Sequence, residues 1–535
     1  MVAKPLAQPN RPRVLVADPI AGAGIELLTQ ACDVTVAGSE GSPPIATMAR
    51  QVEILLVRSE TKVTDTLMAE APSLRLVGRA GAGVDNIDLE SATRRGILVI
   101  NAPSGNTTAA AEHTIAMMLS LLRNIPAAYT SIRDGRWDRR AYLGVEARNK
   151  VLGVVGLGRI GLTVARMAAQ GLGMEVVAFD PLIGADRAEQ AGVRLAELPE
   201  VLAQADVLTV HVPLSERTRG LIGKRELAAM KAGARVVNVA RGGIVDEQAL
   251  AEAVRSGHLA GAALDVFETE PLPADSPLRG LDRVVLTPHL GASTEEAQVN
   301  VAVELAEQVL AYLRGEHPQF AVNAPPLEPM ESIRLAPYLS LASKLGSLGA
   351  QLSTGAIRRV VCAYGSDSTE SAMNSMSAEA LAGIVGGFTE LRVNAINAKA
   401  IASERGVPVE ERRSVGGSDQ DPTLLVTIEG DQTVSIGGEV IAGEGHVTSI
   451  NGFPVDVKAE GQFLVVTHHD RPGVLARISG LLAAADINIG SVGLGRDRPR
   501  GRAVLVMQID DPVPAPTLRS IQVEAGADSA TLVTL

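Results

Sequence analysis

Short β-branched runs that alternate with helix-like stretches, in two successive series, constrain this chain more than any other feature. The first series is RVLVAD (13–18), DVTVA (33–37), ILLVRS (54–59), LRLVGR (74–79) and ILVINA (97–102). The second is VLGVVG (151–156), EVVAFD (175–180), VLTVHV (207–212), RVVNVA (235–240), GAALDV (261–266) and RVVLTP (283–288). A run that is apolar on both faces needs cover on both sides, and strands separated by helices pair in parallel. Each series therefore predicts an α/β, doubly wound parallel sheet. Between them, TTAAAEHTIAMMLSLLR (107–123) reads as a long helix begun by Asn106 and Thr107, able to connect two lobes. Residues 294–314 place Val299, Val303, Ala306, Leu310 and Leu313 at helical spacing, which predicts a helix returning the chain to the first lobe.

At roughly 150 residues per domain, a 535-residue chain is expected to hold three to four domains. After the Pro-rich break HPQFAVNAPPLEP (317–329), the composition turns to Gly, Ser and Ala with strand-like runs such as RRVVCAYG and LLVTIEG. From near 460 the order strand, turn, helix, strand, strand reads as a small α+β module. Apolar residues at 46% against 21% charged exclude disorder as the main state, and with 2% aromatics the cores must be built from Ala, Val, Leu and Ile. The net charge of −12, without a basic tract, argues against nucleic acid and anionic membranes as partners. Cys32 and Cys362 stand far apart with no metal-ligand spacing around either, so neither a disulfide framework nor a metal site is expected, and a reducing cytoplasm fits. The opening MVAKPLAQPNRPR has no apolar core of an export signal, and no apolar run approaches the ~18 to 20 residues that span a bilayer. A soluble, unexported protein is expected.

The strongest local motif is Gly156-Leu157-Gly158-Arg159-Ile160-Gly161, between the strand VLGVV and a helix-like stretch. There Gly156 permits a tight turn, Gly158 admits a pyrophosphate close to the backbone, and Gly161 lets helix pack on strand. The next strand ends in Asp180, where a carboxylate accepts both ribose hydroxyls of NAD and repels a 2′-phosphate. Three further polar groups stand at predicted C-terminal strand ends: Arg241, the acidic set Asp265, Glu268 and Glu270, and His289. An imidazole beside a carboxylate is a tunable proton carrier, and an arginine fork grips a carboxylate.

GRAGAGVDNIDL (78–89), GLGRIG, NVARGGIVDE, ALDVFETEP and TPHLGAS, in that order, resemble the D-isomer-specific 2-hydroxyacid dehydrogenases over roughly residues 13–324. The resemblance implies a substrate lobe made of 13–103 and 290–325 around an NAD-binding Rossmann domain at 104–289. It also implies that Arg241 holds the substrate carboxylate, that Glu270 pairs with His289 and that His289 transfers the proton. Asp265 would hold the nicotinamide carboxamide, and Val212, Val239, Ala240, Gly291 and Ala292 would join the Gly156 to Gly161 turn and Asp180 along the cofactor. On the substrate side it implies Arg58, Arg79, Gly81 and Asn101. Only the motif match prefers Glu270 over Glu268. His211 looks like a cofactor-side wall, while His113, His258, His317 and His446 stand outside any motif and are expected to be packing or surface residues. Arg136, Arg139 and Arg140 form either a solvated loop or a reach into a neighbouring subunit's site.

HHDRPGVL (468–475) followed by INIG (487–490) resembles an ACT domain, a βαββαβ amino-acid-binding module, over 460–535. That resemblance implies L-serine contacts at His468, Asp470 and Asn488. Residues 326–457, without clustered catalytic groups, resemble an intervening domain of assembly or regulation. A dehydrogenase of this family with both extensions implies NAD-dependent oxidation of a phosphorylated 2-hydroxy acid, 3-phospho-D-glycerate, at the head of L-serine synthesis. It also implies feedback by L-serine and a homodimer or homotetramer. Two other readings remain: a glyoxylate or hydroxypyruvate reductase of the same family, and an NAD-sensing, corepressor-like binding protein.

Overall fold

A computed structural model describes residues 11–38, 43–325, 327, 329–365, 368–389, 392–413 and 424–535. The polar opening 1–10 and residues 326 and 328 of the Pro-rich break lie outside the described residues.

The first sheet holds β1 (Arg13–Val16), β2 (Asp33–Val36), β3 (Ile54–Val57), β4 (Leu76–Arg79) and β5 (Leu98–Asn101), all parallel, in the order β2-β1-β3-β4-β5. The second holds β6 (Val151–Val155), β7 (Glu175–Phe179), β8 (Arg194–Leu195), β9 (Val207–Val210), β10 (Arg235–Asn238), β11 (Gly261–Leu264) and β12 (Val284–Leu286). Its order is β12-β11-β10-β9-β6-β7-β8, again all parallel. Every run predicted as a strand in the two series forms one. The short β8 was not foreseen, because two residues carry no readable periodicity. The strand order reverses between β6 and β9, where a doubly wound sheet opens its ligand crevice.

Helix Thr107–Leu122 leads from the first lobe to the second, and helix Glu295–Leu313 leads back. The return helix buries Ala297, Val301, Ala302, Leu305, Ala306 and Val309, and leaves Val299 exposed, which corrects the predicted apolar face. The alanines decide this. Small side chains let the helix settle onto helix Gly22–Thr29 so closely that a Cβ at Gly24 would lie 2.5 Å from the Ala302 carbonyl oxygen.

The third sheet comprises β13 (Arg359–Tyr364), β14 (Val409–Arg413), β15 (Leu424–Glu429), β16 (Val434–Ile441), β17 (Glu444–Ile450) and β18 (Phe453–Lys458), in the order β14-β13-β15-β16-β17-β18. Helices Pro329–Leu352 and Glu370–Gly386 cross against it, with Gly346 under the Ala380 carbonyl and Gly383 under that of Ser343. The fourth sheet, β19 (Gln462–His469), β20 (Ile489–Arg496), β21 (Arg502–Ile509) and β22 (Ala527–Thr534), is antiparallel in the order β20-β21-β19-β22. Along β19 the period of two sends Leu464 and Val466 toward the module's own helices and Phe463 and Val465 into the core of the preceding unit. The two C-terminal units therefore share one apolar core. Among the described residues, no helix is long and apolar enough to cross a membrane.

Candidate active site and cofactor cleft

His289 follows β12 in left-handed backbone conformation (φ 56°), its amide donating to the Asp265 carbonyl at 2.8 Å. That turn presents the ring to Glu270, whose Oε2 lies 2.8 Å from His289 Nδ1. The second oxygen of Glu270 accepts the Phe267 amide at 3.0 Å. Burial works to raise the Glu270 carboxyl, but the bonds from His289 and Phe267 outweigh it and hold the group below the usual carboxylate range. Glu268 bonds through its amide to Glu247, and Glu270 is the acidic residue that reaches His289.

Asp265 lies beneath this turn with no exposed side-chain surface. Its carboxylate accepts Thr287 Oγ1 at 2.6 Å, Leu290 N at 2.8 Å and Gly291 N at 2.9 Å, with His113 Nε2 3.1 Å away. Burial opposes ionisation, yet the bonds from His113 and Thr287 carry the carboxyl below its ordinary value. Thr287, Leu290 and His113 converge on Oδ1, while Oδ2 takes the Gly291 amide and keeps a second acceptor position. In this arrangement Asp265 positions the loop that bears His289, and His113, expected to be an ordinary packing residue, anchors it. Sequence reasoning missed His113 because the helix that carries it lies far from β11 in the chain.

Arg241 reaches across the cleft from the β10 end. Its Nε donates to Asp85 Oδ2 at 2.8 Å and its Nη1 to the Ala240 carbonyl at 2.6 Å. A Cβ at Gly83 would sit 1.9 Å from Arg241 Nη2, so the arginine lies directly on the glycine of the facing lobe. Arg79 is held by Asn86 (Nε to Oδ1, 3.1 Å). The Asn86 amide also spans the Arg58 and Thr61 carbonyls at 2.7 Å each. Burial, with the charges of Arg241 and Arg58, pushes the Arg79 guanidinium down to about 10. Arg58 and Arg241 beside this guanidinium make a site for an anion. Buried Asp18 sets the Arg58 end of the cluster by accepting the Arg58 and Thr61 amides at 2.6 and 3.1 Å. Asn101 bonds the Ala82 carbonyl and shapes the Gly81 loop, while Arg58, Gly81 and Ala292 line one small cavity with Gln298. Asp85 and Asn86 stand within the GRAGAGVDN motif and were legible there; Asp18 carried no signal.

The glycine turn fits a dinucleotide. Gly156 has φ 96°, and a Cβ on Gly161 would lie 2.0 Å from the Gly156 carbonyl oxygen, whereas a Cβ on Gly158 would meet nothing within 4 Å. The first and third glycines close the turn, and the second leaves open space before helix Arg159–Arg166. Asp180 accepts the Leu157 and Leu182 amides at 2.7 and 2.8 Å, which places its carboxylate at the mouth of the turn. The Arg159 guanidinium stacks 5.0 Å above the Phe320 ring of the opposite lobe, while Ile160, Val212 and Ala240 are half-buried and Val239 is buried beside Gly291. His211 bonds Thr209 at 3.0 Å, and burial pushes its imidazole down to about 4, which suits a neutral wall. Among the described residues no group of His, Cys, Asp or Glu has the arrangement of a metal site.

Arg136, Arg139 and Arg140 lie on an exposed loop, with Arg136 paired to Asp134 at 3.0 Å. In the terminal module, His468 is buried and bonds the His469 carbonyl, leaving its Nε2 without a partner. The Asp470 carboxylate accepts the Arg500 amide at 3.0 Å and Arg496 at 2.9 Å, which hold it below its usual range. Asn488 bonds Asp510 at 2.6 Å. Asn488 precedes β20, whereas Asp470 meets Arg496 at that strand's far end, about 23 Å away at 3.3 Å per residue. The three expected serine contacts therefore do not form one site within one chain, because antiparallel pairing puts them at opposite ends of the sheet.

Residues 115–291 match the family described as D-isomer specific 2-hydroxyacid dehydrogenase, NAD binding domain, 334–451 the D-3-phosphoglycerate dehydrogenase intervening domain, and 463–526 the ACT domain. The chain is 41% identical to a D-3-phosphoglycerate dehydrogenase of Synechocystis, over 98% of this chain and 95% of that one. It is 39% identical to the enzyme of that name from Archaeoglobus fulgidus, over 98% and 100%. Among solved structures, D-lactate dehydrogenase from Aquifex aeolicus, complexed with NAD and lactic acid, matches with TM-score 0.51 and 29% identity. That match covers 56% of this chain and 96% of that one.

Proposed function

This chain belongs to the D-3-phosphoglycerate dehydrogenase family, and on that premise we propose how its residues divide the work of oxidising 3-phospho-D-glycerate to 3-phosphooxypyruvate. It is an NAD-dependent oxidoreductase of L-serine biosynthesis. NAD, when bound, supplies the hydride acceptor. Gly156, Gly158 and Gly161 admit its pyrophosphate and Asp180 takes the ribose hydroxyls. His289 keeps Nδ1 on Glu270 and takes the C2 hydroxyl proton on Nε2, and the Glu270 anion stabilises the imidazolium that results. Arg241 orients the acid, and Arg58 and Arg79 complete an anionic subsite suited to a phosphorylated substrate. The two lobes close around these groups: 13–103 with 290–325 hold the substrate, and 104–289 holds the cofactor.

The observation that carries this reading is the 2.8 Å His289–Glu270 pair on one side of a cleft whose other side carries Arg58 and Arg79, with Arg241 reaching across toward them. The experiment follows NADH production from 3-phospho-D-glycerate by the parent chain and by His289→Ala, with glyoxylate as the alternative substrate in reverse. Turnover lost in the variant supports it; equal turnover in both chains, or reduction of glyoxylate alone, overturns it.

The regulatory reading is finer. L-serine as effector fits the ACT module, but a site using His468, Asp470 and Asn488 together needs two chains. Exposed Ile125, Tyr129, Ile132, Trp137 and Leu143 around helix Ile125–Arg133 form an apolar surface that suits a second copy, so a homo-oligomer is the proposed state. The buried free thiols Cys32 and Cys362 suit a reducing cytoplasm.

A further inference from the structure

A cavity of about 630 Å³ opens between the first lobe and the unit built on the third sheet. Leu98, Tyr312 and His317 line it from the lobe; Lys344 comes from helix Pro329–Leu352, Glu379 from helix Glu370–Gly386, and Arg392 from the loop beyond. The same loop latches the two units. Arg392 donates to the Leu74 carbonyl at 2.9 Å, Asn394 to Gly96 at 2.7 Å and Asn397 to Arg94 at 3.3 Å.

The charges in this cavity do not cancel one another. Glu379 has neither a hydrogen bond nor an ion pair among the described residues, and burial alone pushes its carboxyl up to about 7. Lys344 makes no ion pair among the described residues; it also lines a second cavity with Glu444 and Glu460, both of which pair with Lys458. Arg392 bonds the Leu74 carbonyl and the Tyr312 hydroxyl but no carboxylate among the described residues, and its burial, with the charge of Arg75, disfavours its charged form. Glu316, at the rim, is already taken by Arg314 at 2.6 Å, and burial keeps the His317 imidazole below its ordinary range and so neutral at pH 7. A half-buried carboxyl without a partner, sharing one cavity with two cations that pair with no carboxylate among the described residues, is the complement of a ligand with one ammonium and two anionic ends.

We propose that this cavity is a regulatory site for an α-amino acid with an acidic side chain, its ammonium on Glu379 and its carboxylates on Lys344 and Arg392. The path to the cleft is one rigid element. Helix Glu295–Leu313 supplies Ala297, Gln298 and Val301 to the cavity beside Arg58 and Gly81, and Tyr312 to this one, about 17 to 22 Å away along its axis at 1.5 Å per residue. A ligand that alters how the latched units sit on the helix's far end alters the substrate subsite, and by linkage the substrate alters ligand affinity equally.

Calorimetry on the full chain at pH 7, with L-glutamate as the probe in two buffers of different ionisation enthalpy, tests the site. Binding should release a proton, because the arriving ammonium drives Glu379 to its ionised form. Glutarate, which keeps both carboxylates and lacks the ammonium, should bind roughly tenfold more weakly or worse. Glu379→Gln should abolish the proton release, and Lys344→Gln should weaken glutamate by a similar factor while the response to L-serine persists. No heat at millimolar L-glutamate, glutarate bound as well as glutamate, or proton release unchanged in Glu379→Gln overturns the proposal. The buffer comparison on the parent chain stands even where a variant fails to fold.

Discussion

Arg241 and Asp85 are joined at 2.8 Å across the cleft, one from the end of β10 and the other from the loop after β4. Both side chains keep substantial exposure, so the pair adds little to stability, on the order of 1 kcal/mol or less. Its effect is on placement. Asp85→Ala should raise the KM for 3-phospho-D-glycerate several-fold with a small change in kcat and in Tm. A drop in Tm with KM unchanged would reassign the pair to structure alone. Arg241→Lys, which loses the planar fork, should lower kcat/KM by about a hundredfold or more.

Glu270→Gln tests the proton-transfer pair. The amide keeps the size of the side chain but removes the anion that stabilises the imidazolium, so kcat should fall by roughly 10² with KM nearly unchanged. Steady-state kinetics beside His289→Ala would show both variants failing in the same parameter; a normal kcat in Glu270→Gln sinks the assignment.

Asp265 gives a pH prediction. Its folded-state value is depressed, so its contribution to stability is fully present above the ordinary 3.8 and is lost as pH falls below it. Asp265→Asn, which turns a donor toward the amides of Leu290 and Gly291, should cost about 2 to 4 kcal/mol at pH 7. The gap to the parent in denaturant melts should narrow as pH drops below 3.8. A gap that widens there contradicts the sign.

Two glycine variants separate fold from binding. Gly158→Ala meets open space, so it should leave Tm unchanged and raise the KM for NAD about tenfold or more by filling the pyrophosphate's approach. Gly161→Ala sets a Cβ 2.0 Å from the Gly156 carbonyl and should lower both Tm and NAD affinity. Equal effects of the two on Tm would refute the distinction.

Cofactor choice rests on Asp180. Asp180→Asn keeps an acceptor and removes the charge that repels a 2′-phosphate, so kcat/KM with NADP should rise at least about tenfold relative to NAD. An unchanged preference would mean the carboxylate serves only the Leu157 and Leu182 amides.

The two series of strands, the glycine turn and the helices that join the lobes were legible in the chain because each is specified locally. β-branched runs need only their own neighbours, and Gly156, Gly158 and Gly161 act within six residues. The family motifs also brought Arg241, Glu270 and His289 into view as one set. What stayed hidden depends on contacts between distant segments. His113 reaches Asp265 only because helix Thr107–Leu122 packs against β11. Val299 turns outward because alanines, weak in any hydropathy pattern, make the close contact with helix Gly22–Thr29. Asp470 and Asn488 look adjacent in function, yet an antiparallel strand separates them by its whole length. Sequence thus determined the elements and the chemistry each could carry, through local periodicity and turn geometry. Tertiary structure alone decided which side chains meet, because a buried charge such as Asp265 takes its role from neighbours the chain order does not reveal.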